Sequence, residues 1–207
     1  MTEIEQMLSW DYQQCWKHLH KKYGLVPKNY FTNESYTSKT QKIGRGNEGL
    51  YIHHIDEDKG IMLSTKEFAQ LSPFKWQKSE RLVYCNLLEH LVLHIKIVEY
   101  PNPKPQIMPD GSLVNPVVGV GGIYNFIVPE LNDIYSGVQY KQPWKQKVCE
   151  VILPLKSDYF KCISRLVEIN FPYPLLTFSI FNYQAGIWTP KNNQELWSEM
   201  IQLGVKE

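Results

Sequence analysis

Four of the six histidines of the chain fall between Gly49 and Val98, as the adjacent pair His53-His54 and as His90 and His94. The segment around them is otherwise apolar: Leu50-Tyr51-Ile52 precedes the first pair, and Leu87-Leu88, Leu91-Val92-Leu93 and Ile95 surround the second. Burying an imidazole without a partner costs ~1–3 kcal/mol. A fold that encloses this segment must therefore give each ring a partner or give several rings a shared one.

The local pattern indicates how. Residues 50–55 alternate in the manner of a short strand, and Leu82–Cys85 reads as a second. Asn86, with Glu89 at the third position, predicts an N-cap for a helix from Leu87 to about Val98. On that helix His90 and His94 lie on one face, a turn apart, which is the spacing that offers two imidazoles to one metal ion. His53 and His54 are neighbours on a strand and point to opposite sides. One of them can join the helix pair while the other faces a substrate.

The remaining elements follow from periodicity and punctuation. Leu8, Tyr12, Cys15, Trp16, Leu19 and Tyr23 predict one helix over 5–23, stopped by Gly24 and Pro27, with His18 and His20 on its surface. Ser64-x-x-Glu67 predicts a capping box for a short helix ended by Pro73. Pro101, Pro103, Pro105 and Pro109 form a stiff connector. Beyond it we expect a strand at 148–153, a helix at 158–169, a strand at 175–182 and a helix at 191–203. Gly119-Val120-Gly121-Gly122 lacks both the Gly-x-Gly-x-x-Gly spacing and the Lys-Ser/Thr of a phosphate loop. The expected fold class is α+β, divided as 1–48 (N-terminal helix and basic loops), 49–100, a proline connector at 101–116, and a C-terminal α+β lobe at 117–207.

Composition excludes little. A formal net charge of +1 rules out a polycation but not a local basic face. Such a face is suggested by Lys21, Lys22, Lys28, Lys39, Lys42 and Arg45, interleaved with Tyr23, Tyr30, Phe31 and Tyr36; a solvated surface is the plainer reading of the same charges. Cys15, Cys85, Cys149 and Cys162 are scattered without a Cys-x-x-Cys, which argues against a zinc ribbon. No apolar run is long enough for a membrane span. A soluble, cytoplasmic protein with reduced thiols is the expectation.

The chemistry that suits this constellation is hydrolysis of a phosphodiester with one divalent ion, a neutral histidine removing the proton from water. Tyr51-Ile52-His53-His54-Ile55, together with Arg81-Leu82-Val83-Tyr84-Cys85-Asn86-Leu87-Leu88-Glu89-His90-Leu91-Val92-Leu93-His94, resembles the HNH (ββα-metal, His-Me finger) endonuclease family over residues 49–98. The resemblance implies a ββα-metal core, with His53, His90 and His94 as metal ligands, His54 as general base and nucleic acid, as DNA, for substrate. The middle Asn of the family falls at Arg81 by spacing, whereas the nearest Asn is Asn86, and either residue stands for that position. An imidazole triad favours zinc, nickel or manganese over magnesium. The run Asp56-Glu57-Asp58 offers possible magnesium ligands but reads more simply as a solvated turn. Two alternatives have other consequences: an inactivated core that binds nucleic acid or regulates, and an interaction module whose metal is structural.

Overall fold

The computed structural model describes residues 1–101, 105–114, 118–179 and 194–206. Its centre is helix α4 (Leu87–Glu99), whose Leu87, Leu88, Leu91, Val92, Leu93, Ile95 and Ile97 are all buried. A helix that is apolar on nearly every side must be enclosed, and α4 is. It packs against α1 (Glu3–Ser9), α2 (Tyr12–Tyr23) and, further along the chain, α6 (Val128–Tyr135), α7 (Pro143–Ile152) and α8 (Lys156–Glu168). Each fully buried Leu or Ile contributes roughly 1.5–3 kcal/mol of transfer free energy. One continuous cluster of buried apolar side chains runs from Ile4 to Val205.

Strands β1 (Tyr51–His54) and β2 (Leu82–Cys85) form an antiparallel pair, with His53 opposite Val83 and His54 opposite Leu82. Asn86 alone separates β2 from α4, and its side chain accepts from the backbone N–H groups of Leu88 and Glu89, each at 2.9 Å. The Glu89 carboxylate accepts in return from the Asn86 N–H, which completes the expected capping box. So short a connection lays α4 directly across the strand pair. A short helix α3 (Lys66–Ala69) lies between the strands in sequence, and a small hairpin, β3 (Gln106–Ile107) with β4 (Leu113–Val114), follows α4. Helix α5 (Val120–Gly122) runs on through a π-helical turn, Ile123–Ile127, into α6, and α9 (Gln194–Gln202) is the last element.

The architecture is thus mixed, with helices and, among the described residues, two small antiparallel sheets, and five local expectations need correction. The helix expected over 5–23 is two helices, because Thr2 and Asp11 each build a capping box, with Glu5 and Gln14 respectively, and the chain turns at Trp10. His20 is not a plain surface residue: its Nε2 lies 2.7 Å from the carbonyl of Leu82, tying α2 to β2. Ser64 does not cap α3, whose N-cap is Thr65 without a side-chain bond. The strand expected at 148–153 is helix α7, since Val148 and Ile152, four apart, face the core and Pro143 starts the first turn. The expected strand at 175–182 has no strand over its described part, residues 175–179, and its remainder lies outside the described residues. The helix expected at 158–169 corresponds to α8, and the described part of that expected at 191–203 corresponds to α9.

Candidate metal centre

Helix α4 presents His90 and His94 towards the face of β1 that carries His53. The three rings form a nearly equilateral triangle, with centroid separations of 5.1 Å (His53–His90), 5.3 Å (His53–His94) and 4.9 Å (His90–His94). The predicted i, i+4 pair and the first histidine of the strand pair therefore meet. A fourth group joins them. The carboxylate of Glu57 lies among the three rings, and one donor atom from each of His53, Glu57, His90 and His94 falls within 4.8 Å of all the others.

Glu57 reaches this point because the chain curls back after β1. The Glu57 N–H donates to the carbonyl of His54 at 3.0 Å. Asp56, buried beside it, receives Arg81 Nε at 2.6 Å and Nη2 at 2.5 Å, and Lys59 at 2.8 Å. The reading of Asp56-Glu57-Asp58 as a solvated turn is corrected on both counts: Asp56 anchors the turn and Glu57 enters the cluster. The only sequence signal for this was proximity to His53-His54.

Hydrogen bonds fix which ring nitrogen is free to bind an ion. The Tyr12 hydroxyl lies 2.8 Å from His53 Nε2 and 3.2 Å from the Ile55 carbonyl. Both bonds form together only if the hydroxyl donates to the carbonyl and accepts from His53 Nε2–H. His53 Nδ1 then carries the lone pair, buried and 3.4 Å from Glu57 Oε2. His94 Nδ1 lies 3.0 Å from the Gly119 carbonyl, which can only accept, so a neutral His94 carries its lone pair on Nε2, 3.2 Å from the same oxygen.

With both rings neutral, two nitrogen lone pairs face one carboxylate oxygen, and a positive charge, whether a proton or a cation, must lie between them. Protonation of His53 is opposed by burial, which takes its pKa down to about 3, and burial likewise holds His90 well below the usual imidazole range. Burial alone would raise the Glu57 carboxyl, but the positive charge and N–H groups that His53, His54 and His94 present when protonated outweigh it and hold the group well below the carboxylate range. A divalent cation satisfies all four groups. A tetrahedral ion with ligand distances of about 2.0–2.1 Å sets its donors roughly 3.3–3.4 Å apart, close to the 3.4 and 3.2 Å separations from Glu57 Oε2. All four donor atoms lie within 4.8 Å of one another, so the cluster could hold such an ion.

The glycine-rich stretch has a part here that its sequence did not suggest. Gly119, at φ +87°, turns its carbonyl to His94, and a Cβ on Gly122 would come within 2.6 Å of His94 Nδ1. The stretch clamps the ring that α4 supplies.

His54 occupies the other side of β1, as alternation requires, and is 1% exposed. Its ring packs on Tyr30 at 4.6 Å. Gln77 donates to the Leu63 carbonyl at 3.1 Å, so its own Oε1 faces His54 Nε2, 2.9 Å away, as the acceptor. In a neutral His54 the lone pair is therefore on Nδ1, 3.7 Å from Glu57 Oε1. Gln77, fully buried, is a site residue that sequence reasoning missed.

Arg81 and Asn86 have other contacts: Arg81 holds Asp56, and Asn86 caps α4. Of the proposed basic face, Lys21, Lys28, Lys39 and Lys42 are exposed. Lys22 instead pairs with Glu3 and with buried Glu89, and Arg45 pairs with Glu48. The cysteines are free thiols, and burial raises the pKa of Cys85 well above its usual value. Among the described residues no helix is long and apolar enough to cross a membrane. No family model, no curated protein and no solved structure matches this chain.

Proposed function

We propose that the protein is a metal-dependent endonuclease of the ββα-metal type, hydrolysing phosphodiester bonds of DNA. The observation that carries the reading is the orientation of His54: its free Nδ1 points at the carboxylate that also faces the free nitrogens of His53 and His94. A base and an ion-binding set converging on one point, from opposite faces of one strand, is the arrangement that water activation beside a phosphate requires.

His53, His90, His94 and Glu57 would hold the ion, with zinc, nickel or manganese preferred by imidazole donors. When bound, it supplies Lewis acidity at the phosphate and at the leaving oxygen. His54 Nδ1 takes the proton of the attacking water, and Gln77 keeps Nε2 protonated so that Nδ1 stays the basic nitrogen. Tyr12 likewise keeps Nε2 of His53 protonated, whereas the Gly119 carbonyl keeps Nδ1 of His94 protonated and leaves its Nε2 for the ion. Lys21, Lys28, Lys39 and Lys42 are among the exposed cations that a phosphate backbone could meet.

A second reading has an observation in its favour. Glu57 is a fourth protein donor, and four protein ligands are the mark of a structural ion. In that case the metal holds α4, β1 and the turn together and no hydrolysis occurs.

Plasmid cleavage by the wild type and His54→Ala, with EDTA and with each of Mg, Mn, Ni and Zn, separates the two. The endonuclease requires cutting that depends on metal and is lost in His54→Ala while the metal stays bound. Absence of cutting under every metal, with a large fall in thermal midpoint on chelation, would establish the structural ion.

A further inference from the structure

The Glu57 carboxylate stands where the other reactants would have to be. Its Oε2 lies at the ion-binding nitrogens, 3.4 Å from His53 Nδ1 and 3.2 Å from His94 Nε2, and its Oε1 faces His54 Nδ1 at 3.7 Å. A phosphodiester and its attacking water must reach the same two sides, one oxygen at the ion and one at the base. We infer that Glu57 is a tethered stand-in for an oxyanion: it fills the site in the resting protein and gives way when a phosphate-type ligand binds. The inference rests on the metal site proposed above.

Three features make the side chain displaceable. Of the four residues in the cluster, Glu57 alone is on a turn; His53 is on β1 and His90 and His94 are on α4. The turn itself is held through the neighbouring Asp56, gripped by Arg81 and Lys59. Rotation of the Glu57 side chain therefore vacates the position without moving the backbone. The side chain also retains 18% exposure, against none for His53, so its way out to solvent is short.

The chemistry of the replacement is matched. A carboxylate and a phosphodiester each offer two oxygens on one centre and carry one negative charge, and the same donors recognise both. Removing Glu57 leaves the nitrogen set of three imidazoles, enough for an ion with an open position. A residue that occupies a site reduces apparent affinity for an incoming ligand by the fraction of time it is in place. Its removal should tighten oxyanion binding.

The test uses the full chain loaded with cobalt(II), whose visible absorption reports its ligands, titrated with inorganic phosphate. The wild type is expected to bind phosphate weakly, and Glu57→Gln and Glu57→Ala about tenfold or more tightly, with one metal per chain in each. Equal phosphate affinity in wild type and both variants would overturn the inference. So would loss of the metal from both variants in a protein that remains folded by circular dichroism, because Glu57 would then be an obligatory ligand. Cleavage measured in parallel keeps the two proposals apart. Cutting with unchanged phosphate affinity removes the stand-in and leaves the nuclease, whereas tightened affinity without cutting does the reverse.

Discussion

The Nδ1–H of His94 donates to the carbonyl of Gly119 at 3.0 Å, so a helix laid down before the proline connector is aligned by a residue that comes after it. The clamp has no spare room, since any side chain at position 122 would run into the ring. Gly122→Ala should therefore displace His94 and weaken metal binding by about 10–100-fold, the usual cost of disturbing a ligand's support. A competition titration against a chromophoric chelator measures it; an affinity equal to wild type would show that His94 is not a ligand.

Tyr12 acts on His53 in the same manner from α2. Tyr12→Phe removes the hydroxyl that bridges His53 Nε2 and the Ile55 carbonyl, while leaving the ring packing in place. A loss of about tenfold in metal affinity is expected, with a smaller change in fold stability. If unfolding shifts while affinity does not, the hydroxyl serves only the strand.

Chelation should destabilise the whole molecule. An ion would join His53, His90 and His94 to the Glu57 carboxylate, and binding to the native state alone raises stability by about 4 kcal/mol when free metal is a thousandfold above its dissociation constant. The thermal midpoint should fall by several degrees in EDTA and recover when zinc is returned. An unchanged midpoint would argue against any ion at this centre.

Arg81→Met should cost stability through Asp56. The buried carboxylate would keep Lys59 but lose a two-point bond, and about 1–3 kcal/mol of unfolding free energy should go with it. Urea unfolding followed by tyrosine and tryptophan fluorescence gives the value. Arg81→Lys, which restores one charge without the fork, should recover part of the loss.

Asp133, far from the metal centre in sequence, predicts a pH effect. Burial raises its carboxyl pKa to about 7, against the Ser179 N–H and the Tyr140 hydroxyl, which favour ionisation. From about pH 4, where the unfolded chain gives up this proton, to about pH 7, where the folded chain does, the folded state binds the extra proton. Stability should accordingly fall as pH rises through that window, by up to about 1.4 kcal/mol per unit, and level off above it. Asp133→Asn should flatten this slope in denaturant midpoints measured from pH 4 to 8; an unaltered slope would assign it to other groups.

Residues 82–99 were the most legible part of the chain. Asn86 and Glu89 at cap spacing, and apolar residues on every side of the helix, fix α4 by rules that act within one or two turns. The pair His90 and His94 comes with it. The second helix of the N-terminal region was legible in principle, through Asp11 and Gln14, but the continuous apolar spacing across Trp10 concealed the break. Val148 to Leu153, apolar but for Glu150, suits either strand or helix over so short a run, and Pro143 at the first turn with packing of Val148 and Ile152 into the core decides for α7.

The sequence by itself determined that two imidazoles share a helix face and that His53 and His54 point to opposite sides of a strand, because both follow from fixed backbone periods. Only the tertiary structure decided that Glu57 lies among the rings, that Tyr12, Gly119 and Gln77 set their tautomers, and that Arg81 holds the turn. Those groups come from turns and from helices distant in the chain. Turns have no repeating period to read, and which distant segments meet depends on how the whole apolar surface is buried at once.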